Sequence, residues 1–396
     1  MQKKNIVKRI CGRLKRDICS FLRPLSKLVP NKKGLWLFGA WQGSIYADNA
    51  KYMFEYVLRE HPEIKAVWMT RSSSVKKKLD DLQYPCCKPG SLKGLYYTLR
   101  AELAFETEGE WDISYLLNPR DTVIVQLWHG IGVKALNWKT GSYRQKKTVE
   151  HFKPYYWCAT SELYVDVITD LMQVKSERFG MTGYPRNDTF ISKPKNEAVE
   201  KIMAQHPGKR FVIYMPTHRN FGKDGNAFIN VDVFEDVNKR LEQNNMILVY
   251  KPHFHELENF LPYESKYPNI IFAKEQEIWA DPYSYLHYFD AMISDYSSCI
   301  FDFTCSGKPV VLFPYDLESY KTGDAGLLDI YWTIPAGPMC MTWNEVLETL
   351  NNLFRDDDWA QKREECRRAY HIFNDGKNCE RVYDFAQSVL KGEFHA

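Results

Sequence analysis

Five stretches of this chain gather residues that can do acid–base or anion chemistry, each at the end of an apolar run. The first is Gln126–Lys134, QLWHGIGVK, in which Trp128 and His129 lead into Gly130, Ile131, Gly132 and Lys134. An imidazole can act as a base near neutral pH. Glycines let a backbone approach a ligand closely, and a lysine can face phosphate. The second is Pro216-Thr217-His218-Arg219-Asn220, a hydroxyl and a guanidinium suited to phosphate. The third is Lys251-Pro252-His253, where the proline stiffens the turn that presents His253. His255 follows two residues later, but no third ligand has suitable local spacing, so no metal is expected. The fourth is Asp295–Asp302, DYSSCIFD, where Ser297 and Ser298 read as helix caps whose hydroxyls can also donate to an anion, and Asp302 lies one turn further in. The fifth, Gly183–Asp188, GYPRND, puts Arg186 near a domain boundary, where ligand clefts form. Each stretch also has an ordinary reading: a structural histidine, a loop salt bridge, a serine cap or a linker turn.

The elements that must position these residues are strands alternating with helices. Strands are expected at 34–41, 64–70, 101–106, 122–127, 156–160 and 178–182, with helices at 48–60, 75–82 and 161–172 between them. Asp48 reads as the N-cap of the first helix. The pattern restarts with strands at 210–215, 246–250, 270–273, 291–294 and 309–313, and helices at 233–243, 281–288 and 299–306. Three more helices follow at 343–354, 359–370 and 379–390. Such alternation predicts α/β architecture with two doubly wound parallel sheets meeting near 192–207. Ligands bind at the carboxyl ends of such strands, where the five stretches lie. Basic and histidine residues at facing strand ends predict a phosphate-bearing substrate. The chain carries no Walker A pattern and no intact GxGxxG between a strand and a helix, which excludes a P-loop enzyme and argues against a dinucleotide dehydrogenase.

Charge is distributed unevenly. Over 396 residues there are 53 Lys+Arg and 50 Asp+Glu, a net charge of +3. Residues 1–33 hold 11 basic residues and one acid, +10, which leaves −7 for the remainder. Within that head Ile6, Ile10, Leu14, Ile18, Phe21, Leu22 and Leu25 recur every three or four residues. This predicts a basic amphipathic helix able to lie on an anionic membrane surface. It is not a secretory signal. No uncharged run is long enough to span a bilayer. The acidic body shows no nucleic-acid-reading module, so no nucleic acid partner is expected. Ten cysteines without a CxxC pair are expected to be reduced thiols in a cytosolic protein.

Taken in order, the motifs WHGxxxK, GYPRND, PTxR, KPH and DYSSxxFD resemble the CDP-glycerol glycerophosphotransferases of teichoic acid and capsule synthesis. The opening LWLFGAWQGSIYADNAKYMFEYVL and the later PVVLFPYDLESYK look like the same family. The resemblance implies a GT-B-like arrangement of two Rossmann-like domains facing across a cleft, here 34–192 (acceptor side) and 193–396 (CDP-alditol side, with the C-terminal helices), after the 1–33 head. It implies transfer of glycerol phosphate, or ribitol phosphate, from CDP-glycerol or CDP-ribitol to a hydroxyl of a lipid-linked saccharide or polymer acceptor. CMP is released, no cofactor is needed, and the enzyme sits peripherally on the cytoplasmic face of the membrane. By the same resemblance His129 is the catalytic base and His253 the second essential histidine, stabilising charge on the leaving group. Trp128, Gly130, Ile131, Gly132, Lys134, Arg186, Pro216 and Thr217 would line the donor site, with Pro252 in the same substrate-binding set; Arg219 and Lys251 are further phosphate-facing candidates by residue type. Ser297 and Ser298 would bind the pyrophosphate, and Asp302 donor hydroxyls. The rival readings are a GT-B glycosyltransferase or epimerase using a UDP-sugar, and a silent scaffold of a capsule complex.

Overall fold

The computed structural model of the chain describes residues 28–114, 122–130, 155–172, 174–217, 231–252, 266–273, 278–322 and 327–394. The predicted head therefore lies outside the described residues up to position 27. So do the site candidates Ile131, Gly132, Lys134, Arg219 and His253. The first strand begins at Lys32, so head and sheet overlap by two residues.

Seven strands form the first sheet: β1 (Lys32–Phe38), β2 (Lys65–Met69), β3 (Cys86–Cys87), β4 (Ala101–Glu106), β5 (Val123–Gln126), β6 (Tyr155–Ala159) and β7 (Phe179–Met181), in the order β3-β2-β1-β4-β5-β6-β7. Five form the second: β8 (Arg210–Met215), β9 (Met246–Tyr250), β10 (Ile270–Phe272), β11 (Ala291–Ser294) and β12 (Val310–Leu312), in the order β10-β9-β8-β11-β12. All these pairings are parallel. Both sheets reverse direction of winding once, between β1 and β4 and between β8 and β11. These reversals are the crevices where doubly wound folds take ligands.

Helices cover both faces, which is why the strands read as nearly continuous apolar runs. On β1, Trp36 and Phe38 enter one core and Leu35 and Leu37 the other, as period-two geometry requires. Each such buried side chain contributes about 1.5–3 kcal/mol. A further core runs between the lobes, joining Trp157 and Tyr184 of the first to Tyr283, Tyr285 and Phe303 of the second.

The strand β3 and the helices Leu92–Arg100 and Glu197–Ala204 are not among the expected elements, and three further elements differ from expectation. The predicted helix over 281–288 is two 3-10 turns, Pro282–Ser284 and Leu286–Tyr288, parted at Tyr285 by φ −142°. The break lets Tyr283, Tyr285 and Leu286 all be buried in the core between the lobes. Asp48 opens its helix, α1 (Asp48–Glu60), but is not a cap: its own φ is +67° and the preceding Ala47 occupies the cap position. The last helix, Asn378–Lys391, packs on the first sheet, although the sequence pattern groups it with the second. Val382, Phe385, Ala386 and Val389 share a core with Trp36, Phe38 and Val125. Gly180 on β7 leaves the space for it, since a Cβ there would sit 2.5 Å from the Phe385 ring. The chain thus crosses back, tying the two lobes together.

Candidate active site

Three neighbouring strand ends build the first half of the site. After β1 comes a turn through Trp41, Gln42 and Gly43 with φ of 49°, 57° and 73°. After β4 come Thr107 and Glu108, and after β5 comes Trp128-His129-Gly130. His129 Nδ1 lies 2.9 Å from the Thr107 main-chain oxygen. A carbonyl only accepts, so Nδ1 carries the proton; in the neutral ring the lone pair is then on Nε2, which has no partner among the described residues. This is the tautomer a general base needs. Two indoles lie beside the ring, with centroids 4.3 Å (Trp128) and 5.7 Å (Trp41) from it.

Trp128 has φ +55°, uncommon for a non-glycine residue, and the turn is held from several sides. Its N–H donates to Gln126 Oε1 at 2.9 Å, and Asn49 Nδ2 donates to the Trp128 oxygen at 2.9 Å. Gly130 has φ +143°, and a Cβ on it would lie 2.2 Å from Ser298 Oγ. Only glycine lets this loop rest on the second lobe.

The second half lies on adjacent ends of β9, β8 and β11. Thr217 donates its N–H to Asp295 Oδ1 at 2.9 Å, and the Lys251 N–H donates to the Tyr214 oxygen at 2.9 Å. Pro216, Thr217, Lys251, Pro252, Ser297 and Ser298 thus stand along one sheet edge. The serines do not cap the helix as expected. Ser298 occupies the N-cap position of helix Cys299–Thr304 without a side-chain capping bond. Ser297 Oγ accepts from the Cys299 thiol at 3.1 Å. Ser298 Oγ faces Gly130 instead.

Arg186 sits where the lobes join and is almost fully buried. Nη1 donates to Asp48 Oδ1 at 2.6 Å and to the His129 oxygen at 3.1 Å, and Nη2 donates to Asp302 Oδ2 at 2.5 Å. Asp302 also accepts from Asn187 at 3.2 Å and from the Tyr283 hydroxyl, and His371 Nε2 stands 3.1 Å from it. Burial pushes the Asp302 carboxyl up, but the Arg186 charge, His371 and Tyr283 outweigh it and hold it below the usual range. Burial likewise opposes charge on Arg186, yet Asp302, Tyr283 and Asp48 hold it firmly protonated. In this structure the Asp302 carboxylate is engaged by Arg186, Asn187 and Tyr283. It anchors Arg186.

The GYPRND stretch also anchors the crossing helix. Asp188 accepts the N–H groups of Asn378 and Cys379 at 2.9 Å each, and Asn378 Nδ2 donates to the Tyr184 oxygen at 3.1 Å. Between the lobes Lys51 pairs with Asp281 at 2.6 Å, and the Tyr52 hydroxyl joins the same oxygen at 2.8 Å.

Sequence reasoning misses Asn49, Thr107, Asp112, Tyr283 and His371. Their signal is weak: polar residues beside strand ends, or remote in sequence from the partners they meet. Among the described residues no cluster of three His, Cys, Asp or Glu side chains could hold a metal ion. No described helix is long and apolar enough to cross a membrane.

A family profile described as CDP-Glycerol:Poly(glycerophosphate) glycerophosphotransferase matches residues 22–387. Over 98% of this chain and 100% of its own length, the teichoic acid glycerol-phosphate transferase of Staphylococcus aureus is 24% identical. The teichoic acid poly(glycerol phosphate) polymerase of Bacillus subtilis is also 24% identical, over 84% of this chain but only 46% of its own, so the chain spans about half of that polymerase. A teichoic acid ribitol-phosphate polymerase of S. aureus is 23% identical over 90% of this chain and 63% of its own. Among solved structures, the wall teichoic acid polymerase TagF superposes with a TM-score of 0.76 at 20% identity, over 100% of this chain and 98% of that one. A UDP-N-acetylglucosamine 2-epimerase from Listeria monocytogenes superposes with a TM-score of 0.59 at 10% identity, over 90% and 96% of the two chains.

Proposed function

The chain belongs to the CDP-glycerol:poly(glycerophosphate) glycerophosphotransferase family, and on that premise we propose that it moves glycerol phosphate from CDP-glycerol to a hydroxyl of a lipid-linked acceptor in teichoic acid or capsular polymer synthesis. The observation that carries this reading is the His129 ring. Its Nδ1 is committed to Thr107, its Nε2 has no partner among the described residues, and its loop packs against Ser298 of the other lobe.

In this reading His129 Nε2 takes the proton of the acceptor hydroxyl as that oxygen attacks the phosphorus next to the glycerol. The bond from that phosphorus to the bridging oxygen breaks, and CMP leaves with the bond's electron pair. Phosphoryl transfer of this kind depends on positioning and charge stabilisation more than on covalent catalysis. Ser297, Ser298 and Thr217 supply hydroxyls to the pyrophosphate, with Lys251 toward its charge. The helix behind the serines has only six residues, so its dipole adds little. Arg186 and Asp302 hold the two halves in register. Lys134, Arg219 and His253, the last on the leaving group, complete the donor site in this proposal.

Ribitol phosphate is the alternative cargo, favoured by the ribitol-phosphate polymerase among the relatives. Parallel assays with CDP-glycerol, CDP-ribitol and UDP-N-acetylglucosamine, each with a lipid-linked acceptor, separate the readings. CMP release from a CDP-alditol is expected, and turnover of the UDP-sugar alone overturns the proposal. Residues 1–33 are proposed to hold the enzyme peripherally on an anionic bilayer, where such an acceptor resides.

A further inference from the structure

Asp112 is fully buried at the turn after β4, and every described contact of its carboxylate goes to one of two turns beside His129. Oδ2 accepts the N–H of Glu108 at 2.8 Å, the N–H of Thr107 at 2.8 Å and the Thr107 hydroxyl at 3.2 Å. Oδ1 accepts the N–H of Gln42 at 2.7 Å. Gln42 lies in the left-handed turn that carries Trp41 to the His129 ring.

The Glu108 N–H and the Thr107 C=O belong to one peptide group. In a trans peptide these two bonds point in opposite directions. Asp112 therefore grips one side of this peptide while His129 Nδ1 binds the other at 2.9 Å. A carboxylate on an amide N–H makes a charge-assisted bond. It also polarises the amide, which makes the carbonyl a stronger acceptor.

We infer that Asp112 is the positioning residue for His129, acting through the Thr107–Glu108 peptide in place of a direct carboxylate–histidine contact. The carboxylate fixes the carbonyl that selects the Nδ1–H tautomer, and its charge favours the imidazolium that forms as the acceptor proton is taken. The same carboxylate sets the Trp41 turn, so ring orientation and flanking indole depend on one buried charge. Burial pushes the Asp112 carboxyl up to about 6 against the pull of its backbone donors, so it is ionised at neutral pH. Glu108 is the neighbouring charge that adds to the rise. The inference rests on His129 being the base, as proposed above.

The test compares the full-length wild-type enzyme, Asp112→Asn and His129→Ala in CMP release from CDP-glycerol between pH 5 and 9. A second measurement, on the wild-type protein alone, reads the His129 tautomer at pH 8 by ¹⁵N NMR of histidine-labelled enzyme. His129→Gln identifies the signal. Asp112→Asn is expected to lower kcat by about tenfold to a hundredfold, by analogy with groups that orient a metal-bound histidine. KM for CDP-glycerol should change less than about twofold, and the acid limb of the kcat profile should move to lower pH. The wild-type ring should carry its proton on Nδ1. An Nε2–H tautomer overturns the inference even if Asp112→Asn does not fold. So does an Asp112→Asn enzyme whose acid limb stays in place, whatever its rate. If His129→Ala releases CMP at the wild-type rate, the base assignment itself fails, and that result is distinct from either of the others.

Discussion

Arg186 donates from Nη1 to the main-chain oxygen of His129 at 3.1 Å, so the residue that joins the lobes also holds the proposed base. The same guanidinium bridges Asp48 on the first lobe and Asp302 on the second. The proposed base is thereby tied to the junction of the two lobes.

Removing Arg186 leaves two buried carboxylates without their counterion. Arg186→Ala should lose about 3–5 kcal/mol of stability, read by urea unfolding at pH 7. Asp302 has a folded-state pKa below its unfolded value. Its contribution is therefore present above the unfolded pKa and lost as pH falls through the lower folded value. In Arg186→Ala that protection is gone, and acid unfolding should begin at higher pH. Coincident acid transitions for wild type and variant would contradict the network.

Gly130 should tolerate no side chain. In Gly130→Ala the new Cβ meets Ser298 Oγ at 2.2 Å, at a φ of +143° that L-residues rarely adopt. Displacement of the loop by about an ångström should lower CMP release by about a hundredfold. The melting temperature should fall as well, because the new side chain adds a clash and backbone strain at a buried position. A rate within threefold of wild type would show that the loop does not need this contact.

Ser297→Ala and Ser298→Ala should weaken donor binding. Loss of a hydrogen bond to a charged oxygen costs about 1.5–3 kcal/mol. KM for CDP-glycerol should rise at least about tenfold in each variant, with kcat affected less. An unchanged KM in both would move the pyrophosphate elsewhere along the sheet edge.

Deleting residues 1–27 should release the enzyme from anionic vesicles while leaving β1, which starts at Lys32, intact. Basic residues at a membrane surface contribute about 1 kcal/mol each, and added salt should weaken wild-type binding by screening. Vesicle binding that survives the deletion would place membrane contact on another surface.

Most strands were legible because buried parallel strands are short apolar runs, and β4, β8, β9 and β11 follow those runs residue for residue. The switch-point rule then directs attention to the right strand ends. The break within 281–288 was not legible, because the fold buries alternate tyrosines that no single helical stripe accommodates. Helix Asn378–Lys391 was legible as a helix, but its partner was not, since an amphipathic stripe does not name the sheet it covers. At the site, His129, Gly130, Arg186 and Ser298 stood out by residue type and spacing. Asp302 was legible as buried and polar, yet its partners lie at 186, 187, 283 and 371, too far apart in sequence for spacing to connect them. Asp112 was invisible, because its effect passes through a backbone peptide.

The central claim is tested most directly by mass analysis of the lipid-linked product formed from CDP-glycerol by wild type and by His129→Ala. Wild type should add glycerol phosphate units to the acceptor with one CMP per unit. His129→Ala should form the same product at least 10²-fold more slowly, as loss of a positioned base implies. An acceptor of unchanged mass with wild type, or equal rates for the two enzymes, would contradict the account.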